Sequence, residues 1–382
     1  MKKRLVLAGG GHAHLTTLLK LKDYVRKGHR VTLISPSEYH YYSGMGPGML
    51  SGIYKPHELR FHIRKTAEDR GADFLCDLVV SIDPYRRILH LKSGMNIPYD
   101  IVSFNTGSSI NQDFIDIGGD SIFPVKPIEN LLAARERILG EFPDMPGNIL
   151  VAGGGPAGVE ISANVWRLLR DNNLQAEIYL ISAGTLMENF PRRVRNLVVN
   201  SFRKRRIIIL EQNAVQSLKN GNAMLSDGST MPFAVAFLAS GVRPSNIFRK
   251  SGLETGEDGG LLVNSSLQSI TYPEIFGGGD CISFREQPLP KIGVHAVRQN
   301  TILYHNLLAA LEGRRLLSYS PQTQYLLIFN MGDGKAIFWR NRLVFHGRLP
   351  FLLKNHIDRK FMRQFQVSGE LNEPYHCERK DK

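Results

Sequence analysis

A chain of 382 residues with 42% hydrophobic and 22% charged positions can bury a large core in two or three domains, which excludes a disordered protein. No run of 18 or more apolar residues occurs, so no membrane-spanning helix is expected, and the basic start lacks the apolar stretch and cleavage site of a signal peptide. A formal charge of +13 favours anionic partners (nucleotides, a phospholipid surface, an acidic protein), while scattered basic residues without a recognition motif argue against nucleic acid.

The chain opens MKKRLVLAGGGHAHLTTLLK. Leu5–Ala8 reads as a strand, and Gly9 and Gly11 as the first two glycines of a GxGxxG nucleotide-binding turn whose third position is His14. An apolar helix through Leu15, Leu18 and Leu19 and a strand Val31–Ile34 complete a βαβ unit. The stretch VVSIDPYRRILHLKSGMNIPYD alternates around an SG turn, as an antiparallel excursion would, and IVSFNTGSS follows as a strand with a small-residue loop.

The same order then recurs. GNILVAGGGPAGVEISANVWRLL places strand Ile149–Ala152 before Gly153, Gly155 and Gly158, followed by a helix and the strand AEIYLIS. Gly153 makes the tight turn, Gly155 admits a pyrophosphate to the backbone, and Gly158 allows close helix–strand packing. A second excursion around a DG turn ends in LASGVRP. Two copies of one complex order indicate a duplicated dinucleotide-binding architecture. They point to two redox partners, one a resident flavin and one a passing nicotinamide, against the alternative of an NAD-dependent dehydrogenase with one degenerate site.

Further on, SLQSITYPEIFGGGDCISF ends a strand at Gly279-Asp280, where a short carboxylate can accept hydrogen bonds from sugar-like hydroxyls, or can simply serve a turn. Cys76, Cys281 and Cys377 lie far apart in no CxxC pair, which argues against a dithiol centre, a metal site or a disulfide framework and for a reducing, cytoplasmic setting. In RLPFLLKNHIDRKFMRQFQV, Leu353, Ile357, Phe361 and Phe365 recur every four residues beside Met362, with Lys354, Arg359, Lys360 and Arg363 interspersed. That is a basic amphipathic helix, suited to an anionic membrane surface or to its own core or a homodimer interface. The polar end, VSGELNEPYHCERKDK, reads as disordered.

The two turns, the NTGSS and ASGVRP loops and Gly279-Asp280 together resemble the pyridine nucleotide-disulfide oxidoreductase superfamily across almost the whole chain. Within it the sequence looks like the type II NADH dehydrogenases, and more narrowly the NADH-dehydrogenase-like module found alone or fused to selenide, water dikinase. GGGHAH, SPSEYHYYSGMGPGMLSG, GGGPAGVE, KIGVHAVRQN and FNMGDGKAIFWRN carry that narrower likeness. The resemblance implies an α/β fold of two Rossmann-like, three-layer ββα domains. A discontinuous FAD domain (1–113 and 247–316) would flank an NAD(P)H domain (114–246), with a small α+β C-terminal region (317–382).

By the same likeness FAD would meet Gly9, Gly11, His12, Ala13, His14, Ser35, Thr106, Gly107, Gly279 and Asp280, with Gly293, Val294 and His295 at a helix start facing the flavin. NAD(P)H would meet Gly153, Gly155, Pro156, Ala157 and Gly158. Glu160 is expected to orient the nicotinamide, with Lys291 near the flavin and Gln299 at an acceptor site. His12 is expected at the phosphate and His14 in the sheet–helix seam. The family pattern departs at Ser35 and Ser182, where an acid usually ends the second strand; Ser182 leaves room for a 2′-phosphate that Arg192 or Arg193 could meet, unless those arginines form a solvated face.

The activity implied is hydride transfer from NADH or NADPH to FAD, then electron transfer to a quinone-like or small inorganic acceptor without a redox disulfide. Alternatives are an accessory reductase in selenium or sulfur metabolism, and a non-catalytic nucleotide-sensing interaction protein.

Overall fold

Leu5, Val6, Leu7 and Ala8 are all buried, and a strand covered on both faces belongs inside a parallel sheet. In the computed structural model, which describes residues 2–111, 115–143, 147–322 and 324–373, strand Arg4–Ala8 is the centre of a five-stranded sheet. Its neighbours are Arg30–Ser35 and Ile101–Phe104, and Asp73–Cys76 and Ile275–Gly277 lie outermost, all parallel. Ile149–Ala152 centres a second five-stranded parallel sheet of the same plan, between Ile178–Ile181 and Val235–Leu238, with Ile208–Leu210 and Ile122–Pro124 outermost. The two differ in where the last edge strand comes from. In the first sheet it returns from far down the chain; in the second it arrives just ahead of the glycine turn.

Each sheet carries its antiparallel excursion. Val79–Asp83, Ile88–Leu91 and Asn96–Pro98 form the first, and Val215–Lys219, Asn222–Leu225 and Thr230–Pro232 the second. A two-stranded ribbon, Ser108–Ile110 against Val242–Pro244, crosses between the two units. The fold is thus α/β with two Rossmann-like regions and a smaller C-terminal α+β segment, the latter made of strands Leu327–Asn330, Ala336–Arg340 and Leu343–Gly347 and helix Arg348–Phe365.

The two turns launch different helices. Gly158 brings helix Pro156–Asp171 down onto its turn so closely that a Cβ there would lie 1.8 Å from the Gly153 carbonyl oxygen. His14 occupies the equivalent place in the first copy, and no side chain fits under such a helix. The chain opens instead as a 3-10 turn, His12–His14, followed by two short helices, Leu15–Leu19 and Leu21–Arg26. The imidazole fills the seam, with Nδ1 2.6 Å from the Gly9 carbonyl oxygen and Nε2 2.8 Å from Ser103 Oγ. A carbonyl only accepts, so Nδ1 carries the proton and Nε2 accepts from the serine. The long helix Gly293–Glu312 packs against this region through Thr16 Oγ1 donating to Asn300 Oδ1 (2.8 Å) and Tyr24 OH to the Tyr304 carbonyl (2.7 Å).

The C-terminal helix corrects the stripe read from its spacing. Pro350, Lys354, Asp358, Met362 and Phe365 face inward, and Phe361 and Phe365 pack on Phe61. Leu353 and Ile357 are 41% and 40% exposed. Lys354, one of the interspersed basic residues, is buried because Asp358, one turn on, pairs with it at 2.6 Å. The segment after the helix is not free either: Ser368 and Glu370 are buried, with Ser368 Oγ 2.8 Å from Thr66 Oγ1. Residues 374–382 of the expected disordered tail, Cys377 among them, lie outside the described residues.

Replacing His14 by glycine removes a buried ring and orphans Ser103. The expected loss is about 2–4 kcal/mol of stability, read as a lower denaturant midpoint. An unchanged midpoint would show that the imidazole is not holding the seam.

Candidate functional site

The glycine turn of the first sheet opens into a cavity of about 290 Å³ along the carboxyl ends of its strands, where open α/β sheets bind ligands. Gly9, Gly11, His12, Ser35, Thr106, Gly107, Gly279, Asp280 and Gly293 line it, together with Asp77, His40 and Lys126. Ala13, His14, Val294 and His295 stand outside the lining. Ala13 is buried against Gly278, and His295 Nδ1 lies 3.1 Å from the Tyr319 hydroxyl. A second cavity, of about 310 Å³, lies at the matching edge of the other sheet and is lined by Gly153, Ala183, Ser240 and Gly241. Gly155, Pro156, Ala157 and Gly158 lead from it into the helix.

The walls of both cavities carry unsatisfied polar atoms. His12 Nε2, Asn105 Nδ2 and Thr106 Oγ1 in the first, and Ser240 Oγ in the second, are buried without a protein partner. Each such atom costs about 1–3 kcal/mol if nothing meets it, so the cavities suit polar occupants. Gly9, at φ +91°, turns the chain so tightly that a Cβ would strike the Asn105 carbonyl at 2.3 Å. Backbone of that kind, with the start of the 20-residue helix Gly293–Glu312 nearby, suits a pyrophosphate and an electron-rich ring. Asp280 Oδ2 accepts from Ser108 Oγ at 2.8 Å and from Lys126 Nζ at 2.7 Å. The residues present therefore fit a flavin dinucleotide.

Three residues expected in catalytic roles do not line either cavity. Gln299 is buried and its Oε1 accepts from the Gly279 N–H at 2.7 Å, holding the turn that presents Asp280. Lys291 pairs with Asp258 at 2.6 Å and donates to the Ile282 carbonyl. Glu160 lies one layer away, where its Oε1 accepts from the Asn330 N–H at 2.7 Å and burial raises its carboxyl to about 7. Lys354 opposes that rise and Asp358 adds to it.

Beside this carboxyl the C-terminal helix packs on His12, Tyr42 and Gly44. Tyr42 donates to Asp358 Oδ1 at 3.1 Å, and Lys354 donates to Asp358 Oδ2 and, at 2.7 Å, to the Gly44 carbonyl. The His12 ring stacks on Phe361 at 5.9 Å, and its Nδ1 lies 3.1 Å from His40 Nε2. Burial drives His12 and His14 down to about 4 and His40 well below its usual value; the Lys126 charge adds to the effect on His12. Sequence reasoning missed Lys126, Lys354, Asp358 and His40. His40 and Tyr42 stood inside the quoted SPSEYHYYSGM, but a lone lysine before a proline carried no pattern. Around the second cavity, Ser182 is buried beneath the turn, Arg195 pairs with Glu211 at 2.7 Å, and Arg192 and Arg193 are exposed.

Residues 3–300 match the family described as pyridine nucleotide-disulphide oxidoreductase. The chain is 26% identical to ferroptosis suppressor protein 1 of Taeniopygia guttata over 351 residues, 87% of each protein. It is 21% identical to the NADH dehydrogenase-like protein YutJ of Bacillus subtilis (strain 168) over 359 residues, 92% of this chain and 97% of that one. Among solved structures, NDH2 from Plasmodium falciparum in complex with NADH superposes with a TM-score of 0.81 at 15% identity, covering 97% of this chain and 98% of that chain. The sulfide:quinone oxidoreductase of Aquifex aeolicus does so with 0.78 at 18% identity, covering 96% and 92%.

The depressed histidines set a pH window. Between about 6.5 and 4 the unfolded chain takes up protons that folded His12, His14 and His40 refuse, so stability is full above that range and falls as pH drops through it. Each histidine adds a slope of about 1.4 kcal/mol per pH unit. Urea midpoints should fall from pH 7 to pH 5, less steeply in His14→Gln; equal slopes in the two proteins would contradict the assignment.

Proposed function

Because the chain belongs to the pyridine nucleotide-disulphide oxidoreductase family, we propose that it binds FAD in the first cavity and NADH or NADPH in the second, and passes electrons from the nicotinamide to a quinone-like acceptor. One observation carries this reading: two cavities at equivalent sheet edges, each with a glycine turn and orphaned polar atoms, on a chain whose described cysteines, Cys76 and Cys281, are both free. Cys281 is buried with its Sγ against backbone carbonyls, so the described cysteines offer no thiol pair to relay electrons.

When bound, FAD supplies a ring that accepts a hydride from a nicotinamide and releases its electrons to another acceptor. The protein's own share is binding and orientation. His12, Asn105 and Thr106 offer the polar atoms for phosphate and sugar, and Asp280 accepts from sugar-like hydroxyls. The helix start at Gly293 and Val294 favours negative charge. Gly153 and Gly155 shape the turn for the second pyrophosphate. Glu160 orients the nicotinamide side, and Gln299 and Lys291 serve by holding the Gly279-Asp280 turn and the strand after it. The quinone-like acceptor follows the names of similar proteins, which include a sulfide:quinone oxidoreductase and an NAD(P)H-ubiquinone oxidoreductase of Solanum tuberosum.

The acceptor's solvent gives a place for the exposed apolar side chains. Among the described residues no helix is long and apolar enough to cross a membrane. Leu349, Leu352, Leu353 and Ile357 nevertheless face solvent on the C-terminal helix, next to Leu343 and Phe345, with Arg340, Arg342, Arg348 and Lys360 exposed among them. An apolar patch with cations in it suits the anionic inner face of a cytoplasmic membrane, where a quinone would be found. The protein should co-sediment with phosphatidylglycerol vesicles and not with phosphatidylcholine vesicles, and Leu349→Glu/Leu352→Glu should abolish this. Binding that survives the double substitution would move the docking face elsewhere.

Anaerobic mixing tests the chemistry. NADH or NADPH should bleach the bound flavin, and a soluble quinone should restore its colour. If neither nucleotide bleaches a flavin that dithionite does reduce, the nicotinamide assignment fails. Selenium or sulfur species that restore colour at least as fast as the quinone would transfer the reading to the accessory role in selenium or sulfur metabolism. Nucleotide binding without any turnover would favour a sensing protein.

A further inference from the structure

Lys126 belongs to one dinucleotide unit and acts in the other. It follows strand Ile122–Pro124, an edge of the second sheet, yet its side chain lines the cavity of the first. There Nζ lies 2.7 Å from Asp280 Oδ2 and 3.0 Å from Ser108 Oγ, and the serine donates to the same carboxylate oxygen at 2.8 Å. Three separate stretches of chain meet at that oxygen: the segment leaving the second sheet, the crossing ribbon Ser108–Ile110, and the turn Gly279–Cys281. The lysine and aspartate side chains are 27% and 14% exposed, so water screens the pair only in part.

We propose that Lys126 is the positioning and charge-balancing residue of the flavin site: it turns the Asp280 carboxylate toward the sugar chain of the cofactor and cancels that carboxylate's charge beside the ring. The proposal rests on the FAD reading above. Both donors approach Oδ2, and among the described residues no hydrogen bond is recorded to Oδ1, which leaves it to accept from a hydroxyl. A hydride delivers two electrons and one proton, so the ring gains one negative charge on reduction. An unmatched carboxylate in the same cavity would oppose that gain. With the ammonium in contact, the carboxylate and its partner sum to zero, so Asp280 adds no opposition to that gain. The same contact ties the segment leaving the second sheet to the wall of the first cavity.

The test uses the full-length holoprotein and two readouts other than turnover: the FAD dissociation constant from flavin fluorescence, and the midpoint potential of the bound flavin. Lys126→Met should weaken FAD binding and reduce the reduced-to-oxidised ratio at fixed potential about tenfold, which is about 30 mV for a two-electron couple. Lys126→Arg should restore most of both. Lys126→Met combined with Asp280→Asn should return the potential close to that of the unaltered protein, because the unmatched charge has gone. A Lys126→Met protein that keeps its FAD at an unchanged potential overturns the proposal, and so does an equal fall in Lys126→Arg. If Lys126→Met retains no FAD, the double substitution decides: binding recovered supports charge balance, and binding still absent overturns it. An unaltered protein that binds no FAD at all would instead sink the flavin reading itself.

Discussion

A single backbone carbonyl governs how each half of the molecule is assembled. In the second copy, the Gly153 oxygen lies where a Cβ on Gly158 would have to be, so the helix descends fully onto its turn and runs unbroken for 16 residues. In the first copy the matching Gly9 oxygen accepts from the His14 imidazole, and the helix starts as a 3-10 turn and breaks after Leu19. The difference is chemical before it is geometric. A glycine resolves the close approach by absence, a histidine by hydrogen-bonding the obstructing oxygen and carrying the second bond on to Ser103 in the adjacent strand. His14 is therefore a part of the sheet–helix seam, and the departure from the glycine pattern leaves the turn residues Gly9 and Gly11 free to face the cavity.

That altered turn also places His12 beneath the C-terminal helix. Its ring meets Phe361, His40 and Tyr42, and Tyr42 reaches Asp358 on the same helix. The small C-terminal region is thus joined to the nucleotide turn through aromatic contacts and one buried ion pair. Taking Lys354 and Asp358 out of water costs several kcal/mol, and a lone pair of charges often fails to recover it. Here Tyr42 and the Gly44 carbonyl supply the extra hydrogen bonds that such a pair needs, and the carboxyl of Glu160 stands close enough to feel both charges. The inward face of the C-terminal helix is consequently engaged with the protein through its charged pair, while the opposite face of the same helix turns leucines to solvent.

The repeated strand–turn–helix order was legible because its signals are local: β-branched and leucine runs, glycines at fixed spacing, and turn dipeptides between alternating segments. The family match over residues 3–300 agrees with that reading, and so does the order of four strands that the two sheets share. The site was legible where it is backbone. Gly9, Gly11, Thr106, Gly107 and Gly279 line the cavity because the turn itself forms its wall. What escaped were side chains whose partners come from elsewhere in the chain. Lys126 meets Asp280 across 154 residues, and Tyr42 meets Asp358 across 316. No window of sequence contains such a pair. Gln299 and Lys291 show the converse: their segment adjoins the cavity, yet their side chains turn back to Gly279 and Asp258.

The helix Arg348–Phe365 shows why hydrophobic spacing alone could not sort its faces. Apolar residues occur at both sides, so a four-residue recurrence joins positions that the fold separates: Phe361 and Phe365 go to the core, Leu353 and Ile357 to solvent. The inward face is instead decided by Asp358. A lysine one turn before it becomes buriable only because that carboxylate is already committed to Tyr42, and once Lys354 is drawn inward the register of the whole helix follows. Charge pairing thus overrides apolar periodicity when the paired groups find two further partners between them, and the leucines left outside are the consequence. In a chain carrying a formal charge of +13, that apolar patch set among arginines is the surface on which the proposed membrane contact rests.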